Sequence, residues 1–260
     1  MNARRPLVIG NWKMNLDFVE ALHLVQQLGV LLKHRPVEHT DVVVAAPFVD
    51  LRSVSSIIDA ERLPIALGAQ HVNPQENGAH TGEISTSMLK RLNVEWVLVG
   101  HSERRAHYCM DDEIVAETLR SVVRAGQHAV LCVGEELSIR EREGHEAFVE
   151  AQLKSALVGL DERFHSLVTV AYEPLWAIGT GVTATSEQVR EMNTFLRKVL
   201  RAMSFAERQV LYGGSVNAEN AATLVRDGDV DGFLVGGASL KADSFHAILQ
   251  ACDDCYAIKR

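Results

Sequence analysis

The chain has 260 residues, 47% of them hydrophobic and 23% charged, with a net charge of −8. That length is enough for one large α/β core, while the acidic balance argues against nucleic acid or an anionic membrane surface as the main partner. No apolar stretch approaches the ~18 residues of a membrane span, the apolar run near the N-terminus is too short for a signal-peptide core, and four cysteines do not make a disulfide framework in a chain this long; a cytoplasmic protein is expected.

Eight short apolar or β-branched runs recur along the chain. They are Leu7 to Gly10 (LVIG), Val42 to Ala46 (VVVAA), Ile65 to Ala69 (IALGA), Trp96 to Gly100 (WVLVG), Ala129 to Val133 (AVLCV), Val168 to Tyr172 (VTVAY), Gln209 to Tyr212 (QVLY) and Gly232 to Val235 (GFLV). Continuous rather than alternating runs suit strands buried on both faces of a parallel sheet. Helical periods lie between them. Ile114, Val115, Thr118, Leu119 and Val122 form one stripe, with Gly126 where a C-terminus is expected. Further on, Thr185 and Gln188 have capping-box spacing ahead of an apolar face of Val189, Met192, Leu196, Val199 and Leu200. Eight strands alternating with helices predict a single (β/α)8 barrel domain over 1–260. The first strand is followed by no G-x-G-x-x-G, which disfavours a dinucleotide-binding open sheet.

In such barrels the loops at the C-terminal ends of the strands build the site. Asn11 and Lys13 follow the first run, His101 with Ser102, Glu103, Arg104 and Arg105 the fourth, Glu173 the sixth, Gly213, Gly214 and Ser215 the seventh, and Gly236 and Gly237 the eighth. The two glycine turns suit an anion cradle, because backbone N–H groups can approach phosphate oxygens closely. Lys13 is suited to neutralising substrate charge, and Asn11 to orienting it or a substrate oxygen. Ser102 reads as a helix N-cap, and a helix start beside His101 should keep the imidazole neutral. Glu173 ends a buried strand, so desolvation should raise its pKa and strengthen it as a base. After it, Pro174 stiffens the exit while Gly179 and Gly181 permit hinge motion of an apolar lid, and Gly179 can offer its N–H to the phosphate.

The motifs GNWKMN (Gly10 to Asn15), GHSERR (Gly100 to Arg105), AYEPLWAIGTG (Ala171 to Gly181), YGGSV (Tyr212 to Val216) and GFLVGGASL (Gly232 to Leu240) resemble those of the triosephosphate isomerase family, in family order and over nearly the whole chain. The resemblance implies a TIM barrel that interconverts dihydroxyacetone phosphate and glyceraldehyde 3-phosphate through an enediolate, with neither cofactor nor metal. Glu173, His101, Lys13 and Asn11 would be its catalytic residues. Asn11, Lys13, Gly179, Ser215, Gly236 and Gly237 would hold the substrate and its phosphate, with Glu103 and Ser102 supporting them from behind. The segment Gly68 to Leu89 resembles the long third loop with which that family interlocks two subunits, so a homodimer is expected, with Thr81 reaching the partner's site. His71, His80 and Ser186 stand where the family more often has Asn, Phe and Pro; the first two bear on dimer affinity and its pH dependence. Two rivals keep the same residues: an isomerase of a four-carbon ketose phosphate, and a barrel that binds phosphate and catalyses nothing. Cys252 and Cys255, spaced C-x-x-C without a second such pair, do not by themselves indicate zinc or redox chemistry.

Overall fold

The computed structural model describes residues 4–178 and 183–259. Along the chain run β1 (Leu7–Asn11), α1 (Phe18–His34), β2 (Asp41–Ala46), α2 (Leu51–Glu61), β3 (Ala66–Ala69), α3 (Thr86–Lys90) and β4 (Val94–Val99). Then come α4 (Ser102–His107), α5 (Asp112–Arg124), β5 (His128–Val133), α6 (Leu137–Arg140), α7 (His145–Leu157) and β6 (Val168–Tyr172). The chain finishes with α8 (Ser186–Ala202), β7 (Val210–Tyr212), α9 (Ala221–Asp227), β8 (Gly232–Val235) and α10 (Ala242–Lys259). Short 3-10 turns occupy Leu175–Ala177 and Gly237–Leu240. Each strand pairs in parallel with the next, and β1 closes the ring on β8 through Leu7↔Gly232 to Gly10↔Val235. The expected (β/α)8 barrel is what the chain forms.

Closure explains the continuous apolar runs. Along β1, Leu7 and Ile9 point into the barrel with Val43, Ala45, Leu98, Val130, Cys132, Ala171, Leu211 and Leu234, packed against Trp96. Val8 points the other way, into the layer between strands and helices. With period-2 side chains and both faces dry, the middle of each strand is almost entirely apolar. The helices supply the outer apolar stripes. In α5, Val115, Thr118, Leu119 and Val122 are buried as expected, whereas Ile114 in the first turn stays exposed. In α8 the full face from Val189 to Leu200 is buried, and Thr185 and Gln188 make the reciprocal capping box. The last helix packs on the first, with α1 against α10. Asp253 on α10 accepts the backbone N–H groups of Glu38 and His39 at 3.1 and 2.7 Å, tying α10 to the connection between α1 and β2.

Among the described residues no helix is long and apolar enough to cross a membrane.

Candidate active site

The C-terminal ends of β1, β4, β6, β7 and β8 surround a cavity of about 250 Å³. Its lining includes Asn11, Lys13, His101, Glu173, Ser215, Gly236 and Gly237. The sequence singled out all seven. Gly179, its hinge partner Gly181 and so the tip of the expected lid lie outside the described residues; Pro174 and Ile178 belong to the described flank, and Ile178 lines the cavity.

Lys13 stands in a strained backbone. Its φ is 54°, in the left-handed region, which costs a residue with a Cβ about 1 kcal/mol or more. Neighbours hold it there. Its N–H donates to Asn11 Oδ1 at 3.0 Å, and its carbonyl accepts from Gln70 Nε2 at 2.8 Å. The ammonium then reaches Glu103 Oε1 at 2.6 Å. Asn11 therefore holds the Lys13 backbone, as an acceptor. Gln70 holds it as a donor from just beyond β3, a strand end the sequence reading passed over.

His101, not Ser102, is the N-cap of α4. Its Nδ1 accepts the Glu103 N–H at 3.2 Å, and Ser102 is already the first helical residue. An Nδ1 that accepts a backbone N–H leaves the ring proton on Nε2. That Nε2 faces Glu173 Oε1 at 3.0 Å. The other carboxylate oxygen accepts the Ser102 N–H at 2.9 Å. Ser102 thus acts here through its backbone.

These contacts correct the expected pKa of Glu173. The side chain is only 2% exposed, and burial alone would raise it as foreseen. But His101, the Ser102 N–H and Lys13 outweigh burial, so the pKa is lowered from its ordinary value. For His101, burial favours the neutral ring; the facing Glu173 carboxylate opposes burial and prevails, so its pKa is raised. The carboxylate is held as a weak base by the partner it faces. Gly213 makes room for it, since a Cβ there would come 2.9 Å from Glu173 Cγ. Gly236 lies against the lysine less tightly: a Cβ there would be in ordinary contact with Lys13 Cε at 3.4 Å.

The triosephosphate isomerase family model matches residues 6–252.

The chain belongs to the triosephosphate isomerase family.

It is 44% identical over 247 residues to a triosephosphate isomerase of Corynebacterium glutamicum, covering 94% of this chain and 95% of that one. It is 46% identical to one from Saccharopolyspora erythraea, with the same two coverages. The match to one from Mycobacterium avium is 42% identical, again over 94% and 95%.

Three other residues of this triosephosphate isomerase family member bear on the sequence reading. Thr81 lies exposed in the third loop, away from the cavity lining of its own chain. His71 is buried beside Arg104 and Glu83; burial first, and then Arg104, push its pKa down to about 4. Glu135, which the sequence reading missed, is fully buried beneath the exit of β6. Its signal was present. It follows Gly134 just beyond β5, much as Glu173 follows β6, and reading every strand end would have found both Glu135 and Gln70.

Proposed function

We propose that the chain is a triose-phosphate isomerase, interconverting dihydroxyacetone phosphate and D-glyceraldehyde 3-phosphate, and that Glu173, His101, Lys13 and Asn11 carry the reaction. The observation that supports it most is the 3.0 Å contact between Glu173 and His101 in one small cavity with Lys13 and the two glycine turns. Glu173 is ionised at neutral pH in its parked position, because its pKa is lowered. To reach a substrate carbon it lets go of His101 and the Ser102 N–H. It keeps its burial, so it becomes a stronger base where it is needed. The same step removes the main influence that raises the pKa of His101, leaving burial, Lys13 and the helix end to favour the neutral ring.

Glu173 then takes the proton α to the carbonyl. Lys13 and the His101 Nε2–H stabilise the negative oxygen of the enediolate. His101 carries a proton from one oxygen to the other, and Glu173 returns its proton to the neighbouring carbon. Only protons move, so the reaction calls for no redox cofactor. Gly236, Gly237 and Ser215 hold the phosphate, with Gly179 as a further ligand. Glu103 and Ser102 keep Lys13, His101 and Glu173 in register.

The whole chain, 1–260, acts as one domain, and it works as a homodimer. Met14, Val49, Met88 and Tyr108 are 94%, 81%, 53% and 64% exposed. They follow β1, β2, β3 and β4 in turn, so the topology puts them on neighbouring sectors of one rim, where a second copy would cover them. Thr81 of each copy would then approach Asn11 and Lys13 of the other. Substrates of this kind place the enzyme in the cytoplasm.

A coupled assay on the purified protein tests the reading. Turnover of the three-carbon phosphates is expected, with no loss in EDTA. Absence of turnover, or a higher kcat/KM for a four-carbon ketose phosphate, would overturn it.

A further inference from the structure

Next to the cavity, the 3-10 turn Leu175–Ala177 is held from two sides. On one side stands Glu135. Its Oε1 accepts from the Tyr172 hydroxyl at 3.0 Å, the Trp176 indole at 3.0 Å and Arg140 Nη1 at 3.3 Å. Its backbone carbonyl accepts the Leu175 N–H at 3.1 Å. On the other side, Ser215 Oγ donates to the Ala177 carbonyl at 2.8 Å. The hydroxyl expected on the phosphate is thus set by where the turn sits.

Arg140 joins this arrangement to the rest of the barrel. Its guanidinium lies 5.2 Å from the centre of the Trp176 ring. Its Nη2 is 3.6 Å from Glu191 Oε2 on α8, and the other Glu191 oxygen is 3.7 Å from His145 Nε2. One planar fork therefore spans a fully buried carboxylate under β6 and a carboxylate on the helix that follows the 174–185 segment. Lysine cannot make that span, because it offers a point charge rather than two separated donors. Removing the guanidinium would leave the Glu135 charge buried with only two neutral donors, a costly state that relaxes by moving the turn. Arg140 does not line the substrate cavity.

We propose that Arg140 is a positioning residue for phosphate recognition: by bridging Glu135 and Glu191 it fixes the Leu175–Ala177 turn, and through the Ala177 carbonyl it sets the Ser215 hydroxyl. The inference rests on the reading of Ser215 as a phosphate ligand. A residue that acts only through phosphate matters for phosphorylated substrates and not for a truncated one.

Three measurements on Arg140→Met decide it: kcat/KM for D-glyceraldehyde 3-phosphate, kcat/KM for D-glyceraldehyde, and the affinity for inorganic phosphate. The phosphorylated substrate should lose about tenfold. Glyceraldehyde should stay within about twofold, and inorganic phosphate should bind about tenfold more weakly. Glu191→Gln, at an exposed position that does not threaten folding, should show the same pattern at about threefold. Added to Arg140→Met it should cost nothing more. Equal losses for both substrates, or unchanged phosphate binding, would overturn the proposal. Failure of the wild-type protein to isomerise either substrate would instead overturn the proposed function, and phosphate binding would still judge Arg140.

Discussion

The two ends of the barrel handle buried charge in opposite ways. At the N-terminal end, Asp231 is saturated. Arg4 Nε lies 3.1 Å from both carboxylate oxygens, Arg197 Nη2 is at 2.9 Å, and the Val210 N–H donates at 2.9 Å. At the C-terminal end, Glu173 has one imidazole and one backbone N–H, with an open cavity beside it. The first carboxylate has every reason to stay where it is. The second is held by partners it can exchange. Saturation produces stability, and partial saturation leaves a group free to react.

The largest expected effect breaks the contrast at its reactive end. Glu173→Gln should lower kcat by about 10³-fold or more while the protein stays folded, measured by coupled assay and circular dichroism. In the same variant the facing carboxylate is gone, so the His101 pKa, read by NMR titration, should fall from its raised value to below 6.5. At the other end, Asp231→Ala leaves the Arg4 guanidinium and the Val210 N–H without their acceptor and Arg197 with Asp229 alone. It should cost about 3 kcal/mol in urea unfolding and leave kcat unchanged. A large loss of kcat there would show that the two ends are not independent.

Gly213→Ala sharpens the comparison further. The added methyl would come 2.9 Å from Glu173 Cγ and 3.7 Å from its Oε1, crowding the side chain, and kcat should fall about tenfold. The smallest effect concerns His71. Its folded pKa of about 4 lies below the ordinary 6.5. Between those values the unfolded chain binds a proton that the folded chain does not. Stability should therefore decline as pH falls from about 6.5 towards 4. His71→Asn should flatten that part of the pH–stability curve, and an unchanged curve would place its acid sensitivity elsewhere.

The C-terminal ends of the strands were legible in the sequence because each is marked by a sudden polar residue, a glycine or, after Ala46, a proline. Ala46, Ala69, Val133, Tyr172, Tyr212 and Val235 were all read correctly. The starts blurred more: β4 begins at Val94 rather than Trp96, because Glu95 at its exposed base breaks the apolar run. Since the cavity sits at the ends, its residues could be collected without knowing a single distance. The charge states could not. Burial of Glu173 is written in VTVAYE, but the imidazole that reverses its effect comes from a strand more than seventy residues earlier. Nor could the cap: Ser is the commoner N-cap, and only the ring geometry reveals that His101 has taken that place. The strained φ of Lys13 has no sequence signature, since lysine rarely adopts it and the two amides that hold it come from the end of β1 and from just beyond β3.

The ladder that joins Leu7 to Gly232 leaves this sheet with no first or last strand. Where the polypeptide begins is thus arbitrary with respect to the barrel's hydrogen bonds. A gene rearranged to link the two present termini by a short flexible bridge, and to open instead at an exposed connection such as the one between α7 and β6, would preserve every inter-strand pair and the geometry of the mouth.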